Sequence, residues 1–280
     1  MRRPCGARPE VRAAFQGEAG AFSQTAARQI FGPRVVAVPK PAFDDVFASV
    51  TRGHADFAVI PIENSLAGSI HQNYDLLARH RLEVVGETYV RIEHNLIVMP
   101  GTKFAAVRRV YSHPVALAQC VNFLRRFRRL EHVPFYDTAG SVKHIREAGL
   151  KDAAAIASAD AAVLYGMQIL HRRIEDDAEN YTRFLALCRR SGHKAGGSKT
   201  SIVFALKNAP GALFKALSVF ALRDINLTKI ESRPIRGKPW EYLFYVDLGT
   251  DSRSRECVHA LRHLREMAPY FKVLGSYDTF

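Results

Sequence analysis

Apolar positions in the first two thirds of the chain fall into short runs. Each run stops at Gly, Ser, Thr, Asn or Asp and hands over to a stretch with helical spacing. Residues 11–15 lead into Gly17-Glu-Ala-Gly20-Ala-Phe-Ser23, and residues 57–62 into Glu63-Asn64-Ser65. Residues 107–111 lead into Ser112-His113-Pro114, residues 133–136 into Asp137-Thr138-Ala-Gly140-Ser141, and residues 154–157 into Ser158-Ala-Asp160. Five strand ends meeting five helix starts predict α/β units around a largely parallel sheet. The polar residues at these junctions suit helix N-caps, and Pro114 suits a first helical position. Several helix N-termini at the carboxyl edge of one sheet also present unpaired N–H groups, so the pattern implies a small carboxylate ligand.

Residues 191–199, Ser-Gly-His-Lys-Ala-Gly-Gly-Ser-Lys, have the composition of a linker, which predicts domains at 11–190 and 198–280. Beyond it the pattern predicts a strand at 200–206 and a helix at 211–222 with Leu213, Leu217 and Phe220 on one face. Strands at 227–235 and 242–248 follow, then a helix at 254–267 with Cys257, Leu261 and Leu264 in phase, and a last strand at 271–277. The order βαββαβ is that of a ferredoxin-like split unit, which often pairs with a second copy.

A length of 280 residues fits two domains, and no apolar run approaches the ~18 residues of a membrane span. The formal charge of +13 raises the question of nucleic acid, but the excess is spread through both halves with no basic tail. The densest cluster, Arg125, Arg126, Arg128 and Arg129, interrupts an apolar stripe of Leu117, Cys120, Val121, Leu124 and Phe127. It reads as a solvated helix face, and a positive field of this kind draws in a small anion. Cysteines 5, 120, 188 and 257 form no Cys-x-x-Cys pair and no zinc spacing, so free thiols and no metal are expected. Residues 1–10 lack the apolar stretch of a secretory signal, and a cytoplasmic location is expected.

The motifs Gly17-x-x-Gly20-x-x-Ser23, Pro61-Ile-Glu-Asn64-Ser65-x-x-Gly68, Tyr111-Ser112-His113-Pro114-x-Ala-Leu-x-Gln119-Cys120 and Asn180-Tyr181-Thr182-Arg183-Phe184 occur in this order. Together they resemble the prephenate dehydratase family with its C-terminal ACT regulatory domain. The resemblance implies a two-lobed, periplasmic-binding-protein-like catalytic domain followed by a ferredoxin-like ACT domain. Gly211-Ala212-Leu213 and Glu231-Ser232-Arg233-Pro234 match the two stretches of the family's phenylalanine site. One departure is Glu18, where the family usually has Pro after the first Gly; another is Val115, where Gln often stands.

The chemistry implied by the resemblance is decarboxylative dehydration of prephenate to phenylpyruvate, without a cofactor. The family's catalytic Thr falls on Thr182, whose weakly acidic hydroxyl is suited to hydrogen bonding the departing oxygen. Arg183 is expected either to pair with a substrate carboxylate or to brace the sheet through an acid such as Glu179. Asn64, Ser112 and Gln119 are expected to supply neutral donors to the reaction, with Ser65, Phe184 and Thr138 as further substrate contacts. Gln119 lies seven residues beyond Ser112, about two helical turns, so both would face one cleft. Feedback by L-phenylalanine and a homodimer or homotetramer through the ACT domain complete the expectation.

Two other readings compete. An enzyme of the same fold acting on arogenate, which carries an amino group in place of the keto group, differs only at the substrate side chain; residues 137–141 are placed to contact it. A non-catalytic amino-acid sensor would share both domains, but the Thr182-Arg183-Phe184 motif argues for catalysis.

Overall fold

The computed structural model describes residues 10–189 and 196–280. Cys5, and residues 191–195 of the expected linker, lie outside the described residues.

The first lobe runs through β1 (Arg12–Gln16), α1 (Phe22–Phe31), β2 (Val36–Lys40), α2 (Phe43–Thr51), β3 (Phe57–Asn64), β4 (Gly68–Ser69), α3 (His71–Arg79) and β5 (Leu82–Arg91). The second holds β6 (Asn95–Val98), a 3-10 turn at Phe104–Ala106, β7 (Arg109–Ser112), α4 (Pro114–Ala118), α5 (Val121–Arg125), β8 (Glu131–Pro134), α6 (Thr138–Ala148), β9 (Ala153–Ala157), α7 (Ala159–Leu164) and β10 (Gln168–His171). The chain then returns to the first lobe as β11 (Tyr181–Arg189). Crossings at 92–94 and 172–180 join the lobes, and the interlobe cleft opens between them.

Neither sheet is largely parallel, contrary to the reading of the sequence. The first has the order β2-β1-β3-β11-β5, the second β10-β6-β9-β7-β8. Pairs β1/β2, β1/β3, β7/β8 and β7/β9 are parallel, whereas β11 runs antiparallel to both β3 and β5, and β6 antiparallel to both neighbours. The antiparallel strands flank the two crossings, so returning between lobes is what reverses their direction. The expected long helix after Ser112 is broken into α4 and α5, with Gln119 as the C-cap of the first. Leu117, Cys120 and Leu124 still pack into the second lobe's core, and the four clustered arginines stay exposed.

The third unit comprises β12 (Lys199–Ala205), α8 (Ala212–Ala221), β13 (Leu227–Pro234), β14 (Tyr242–Leu248), α9 (Arg255–Met267) and β15 (Tyr270–Tyr277). Its antiparallel sheet, β13-β14-β12-β15, is the ferredoxin-like arrangement. The buried stripe of α8 is Ala216, Val219 and Phe220; Leu213 is exposed, a shift from the expected face. The opposite face of the sheet is docked on the first lobe: Val203, Tyr245, Leu274 and Tyr277 join one apolar core with Ile60, Ile62, Tyr74 and Leu185. A Cβ at Gly275 would stand 2.0 Å from the Val84 carbonyl oxygen, so glycine permits β15 to lie against β5. Among the described residues, no helix is long and apolar enough to cross a membrane.

Candidate active site

A cleft of about 610 Å3 opens between the lobes. The starts of five helices reach its wall: Phe22 of α1, Ala42 and Phe43 at α2, Ile70 and Gln72 at α3, His113 and Val115 at α4, and Asp137 and Thr138 at α6. At α1, α2 and α3 the cap residues are Ala21, Ala42 and Ile70, which make no side-chain cap. Their first N–H groups are open to water or a ligand, and the helix dipoles favour an anion there. Among the described lining residues there is no Lys or Arg.

On the floor of the cleft, Asn64 ends β3, and Thr182 faces it from β11 in register. The hydrogen-bond directions follow from two backbone donors. Asn64 Oδ1 accepts from the N–H of Leu66 at 3.1 Å and of Ala67 at 2.8 Å, so its Nδ2 must be the donor. Nδ2 faces three acceptors, Asn180 Oδ1 at 2.8 Å, Thr182 Oγ1 at 3.0 Å and the Tyr181 carbonyl at 3.1 Å, which share its two hydrogens. Asn180 Nδ2 then donates to Gln119 Oε1 at 3.0 Å, and Gln119 Nε2 closes the ring by donating to Asn64 Oδ1 at 3.2 Å. With Gln119 Oε1 an acceptor, His94 must carry its proton on Nε2, which lies 3.0 Å away. Burial pushes the His94 pKa below its usual value, so the ring is neutral and Nδ1 is a bare acceptor. Among the described residues, that buried Nδ1 has no partner. Because the amide Nδ2 can only donate, the Thr182 O–H is not spent on Asn64 and is left to donate into the cleft.

Thr182, Asn64, Gln119, Phe184 and Thr138 therefore line one cavity. Ser65, Ser112 and Arg183 do not. Ser65 Oγ donates to the Glu179 carbonyl at 2.8 Å and accepts from the Tyr181 N–H at 2.9 Å, tying β3 to the return crossing. Ser112 is fully buried and donates to the Ile156 carbonyl at 2.6 Å; the α4 cap is His113 instead.

Arg183 points through the sheet, away from the cleft, since successive residues of a strand face opposite sides. It does brace the structure, but through Glu87 on β5 at 2.6 Å and Asp247 on β14 at 2.6 Å rather than through Glu179. Lys199 pairs with the same Glu87, and Tyr277 hydroxyl accepts from Arg183 at 3.1 Å. Burial raises the Glu87 pKa, but Arg183 and hydrogen bonds from Lys199 and Thr279 outweigh it and hold the carboxyl below its ordinary range.

In the third unit, Gly211 caps α8 in the left-handed region at φ 74°, and Ala212 and Leu213 line a pocket of about 110 Å3 with Asn208, Trp240, Tyr242 and Phe244. The stretch 231–234 lies elsewhere, on the edge strand β13. Glu231 and Arg233 face the first lobe, toward His71 at 3.3 Å and Asp75 at 3.4 Å, while Ser232 and Pro234 face outward and are exposed. None of residues 231–234 lines that pocket within one chain, although Ser232 pairs in register with Phe244 of β14, which does.

His94 is a cleft residue that the sequence reading did not place in the site; Asp137, read there as a helix cap and, within 137–141, as a contact of an arogenate side chain, lines the cleft too. His94 stands in a crossing without a motif around it. Asp137 looked like a helix cap, which it also is.

A family model for prephenate dehydratase matches residues 13–192, and one for the ACT domain matches 200–256. An Arabidopsis thaliana relative named arogenate dehydratase/prephenate dehydratase 2, chloroplastic, is 49% identical, covering 96% of this chain and 73% of the relative. A solved prephenate dehydratase from Arthrobacter aurescens, in complex with L-Phe, is 30% identical with a TM-score of 0.88, over 96% of this chain and 90% of that one. A structure titled GqqA, a novel type of quorum quenching acylases, is 37% identical with a TM-score of 0.87, over 96% and 98%. The matches span both domains and the cleft between the lobes, and the chain belongs to the prephenate dehydratase family of hydro-lyases with its C-terminal ACT domain.

Proposed function

We propose that the cleft carries out decarboxylative dehydration of a cyclohexadienyl carboxylate, prephenate or arogenate, and that Thr182 assists the leaving hydroxyl. The carrying observation is the Thr182 hydroxyl, fixed as an acceptor toward Asn64 and thereby free to donate into a cleft walled by uncapped helix N-termini. The ring carboxylate leaves as CO2, and its bonding pair enters the ring as the C4–O bond breaks. The departing hydroxyl takes one proton and leaves as water. Thr182 stabilises the charge growing on that oxygen, with solvent supplying the proton. Neutral donors and helix ends hold the substrate carboxylates without the strong ion pair that would retain an anionic product. The residues of the site need no cofactor for these steps.

The ACT domain supports feedback by L-phenylalanine, the ligand named for the Arthrobacter aurescens structure. The stretch 231–234 does not line the α8 pocket of its own chain, and an effector site using both stretches is completed by a second copy. Exposed Phe214, Ile230 and Trp240 on this domain support such a homodimer. Buried Cys120, Cys188 and Cys257, free as thiols, support a reducing compartment, in keeping with a cytoplasmic enzyme.

Purified protein given prephenate or arogenate, with phenylpyruvate and phenylalanine followed separately, tests the reading. Turnover of at least one substrate, lowered by added phenylalanine in a dimer that sedimentation detects, is the expected result. Inertness toward both would end the dehydratase reading, and undiminished turnover at saturating phenylalanine would end the feedback reading alone.

A further inference from the structure

Prephenate and arogenate share both carboxylates and the hydroxyl. They differ at one position, a keto oxygen in the first and an ammonium in the second. Discriminating between them calls for a group in the cleft that treats a cation and a carbonyl differently. Among the described lining residues one carboxylate is present, Asp137, at the start of α6.

Asp137 is held from both lobes. Its Oδ1 accepts from the Gly140 N–H at 2.7 Å, capping α6 in the second lobe. Its Oδ2 lies over the Gly17 loop of the first lobe, so close that a Cβ at Gly17 would stand 2.8 Å from it. The Glu18 backbone N–H is aimed at the same carboxylate, and a proline at position 18 would have no such donor. Glu18 is itself fixed by Lys143 at 3.1 Å and by the Tyr136 hydroxyl at 3.0 Å. The departure from the family's usual Pro thus serves to seat Asp137.

Among the described residues no cation is paired with this carboxylate: Lys143 spends its charge on Glu18, and burial lowers the pKa of His113, the neighbouring imidazole. Burial likewise raises the Asp137 pKa, more than the two N–H groups lower it. A carboxylate has about four acceptor positions, and two are in use here.

We propose that Asp137 is a specificity-determining residue that accepts the α-ammonium of an amino-acid substrate and so favours arogenate over prephenate. This rests on the dehydratase reading. A keto oxygen at the same place meets a buried negative charge with no hydrogen to offer it.

The test is kcat/KM for both substrates in the wild type, Asp137→Asn and Asp137→Ser. Asn and Ser both cap helices well, so α6 keeps its cap while the charge is lost. The arogenate-to-prephenate ratio is expected to fall about 10- to 100-fold in both variants, mainly through KM for arogenate, the size of a lost charge-assisted hydrogen bond. Parallel losses on both substrates, or an unchanged ratio, would reduce Asp137 to a helix cap and overturn the inference. A wild type that prefers prephenate would overturn it as well. A wild type inert toward both would instead remove the dehydratase reading, and Asp137's role with it.

Discussion

Thr182 and Arg183 are neighbours on β11, yet they look into opposite chemical worlds. The Thr182 side of the strand is a ring of neutral amides, one neutral imidazole and a hydroxyl. The Arg183 side is a buried knot of charge: one guanidinium, two carboxylates and Lys199 sealed between domains. Buried ion pairs cost much to break and hold one geometry, which suits a seam that stays closed. Neutral donors bind anions and let them go, which suits a cleft that must turn over. The strand also carries a register shift against β3 between Arg183 and Phe184, so the two sides meet at an irregular point.

The comparison breaks most visibly at Arg183. Arg183→Gln leaves buried Asp247 without its guanidinium and Glu87 with Lys199 alone, and should lower unfolding free energy by about 3–5 kcal/mol in denaturant titration. A loss below about 1 kcal/mol would mean the seam is not held by charge. On the other side of the strand, Thr182→Ala should reduce kcat about 10²- to 10³-fold, with KM and melting temperature near those of the wild type. More than half of native kcat would remove Thr182 from the reaction. Gln119→Ala opens the amide ring and leaves Asn180 and His94 without their shared acceptor. Its expected effect is smaller, about a tenfold drop in kcat/KM together with a modest loss of stability of ~1–2 kcal/mol; an effect on stability alone would make the ring purely structural.

Acid titration gives the finest contrast, because Glu87 and Asp137 are shifted in opposite directions. Glu87 is held below its ordinary value of 4.5, so its stabilisation is present above that pH and is lost as pH falls through the folded value. Glu87→Gln should accordingly flatten the acid limb of a stability profile. Asp137 is raised above 3.8, so in the empty cleft its charge costs stability at neutral pH, and the cost is relieved as pH falls through the raised value. Asp137→Asn should melt at or above the wild-type temperature at pH 7, the gap closing in acid. A lower melting temperature at pH 7 would show that the carboxylate is structurally satisfied where it stands.

Much of the cleft was legible in one dimension. Strand ends at 64, 112 and 137 and the 180–184 motif announced polar residues at helix starts, and Asn64, Gln119, Thr138, Thr182 and Phe184 do line one cavity. Ser65 and Ser112 carried the same signal and went to backbone carbonyls, since a hydroxyl at a strand end bonds whichever acceptor the fold brings near. The central antiparallel role of β11 was not readable, because apolar runs give strand and burial but not direction. Arg183 was assigned to substrate or to Glu179; its partners lie 96 and 64 residues away on β5 and β14.

What the sequence by itself determined is local: which segments form strands and helices, and that an α/β domain precedes a βαββαβ unit. These follow from periodicity and from the backbone's need for donors and acceptors within a few residues. The tertiary structure alone decided the direction of β11, the side of it on which each residue acts, the tautomer of His94 and the meeting of Asp137 with the Gly17 loop. Each depends on groups distant in sequence, and nothing in local pattern encodes which of them the folded chain brings within hydrogen-bond reach.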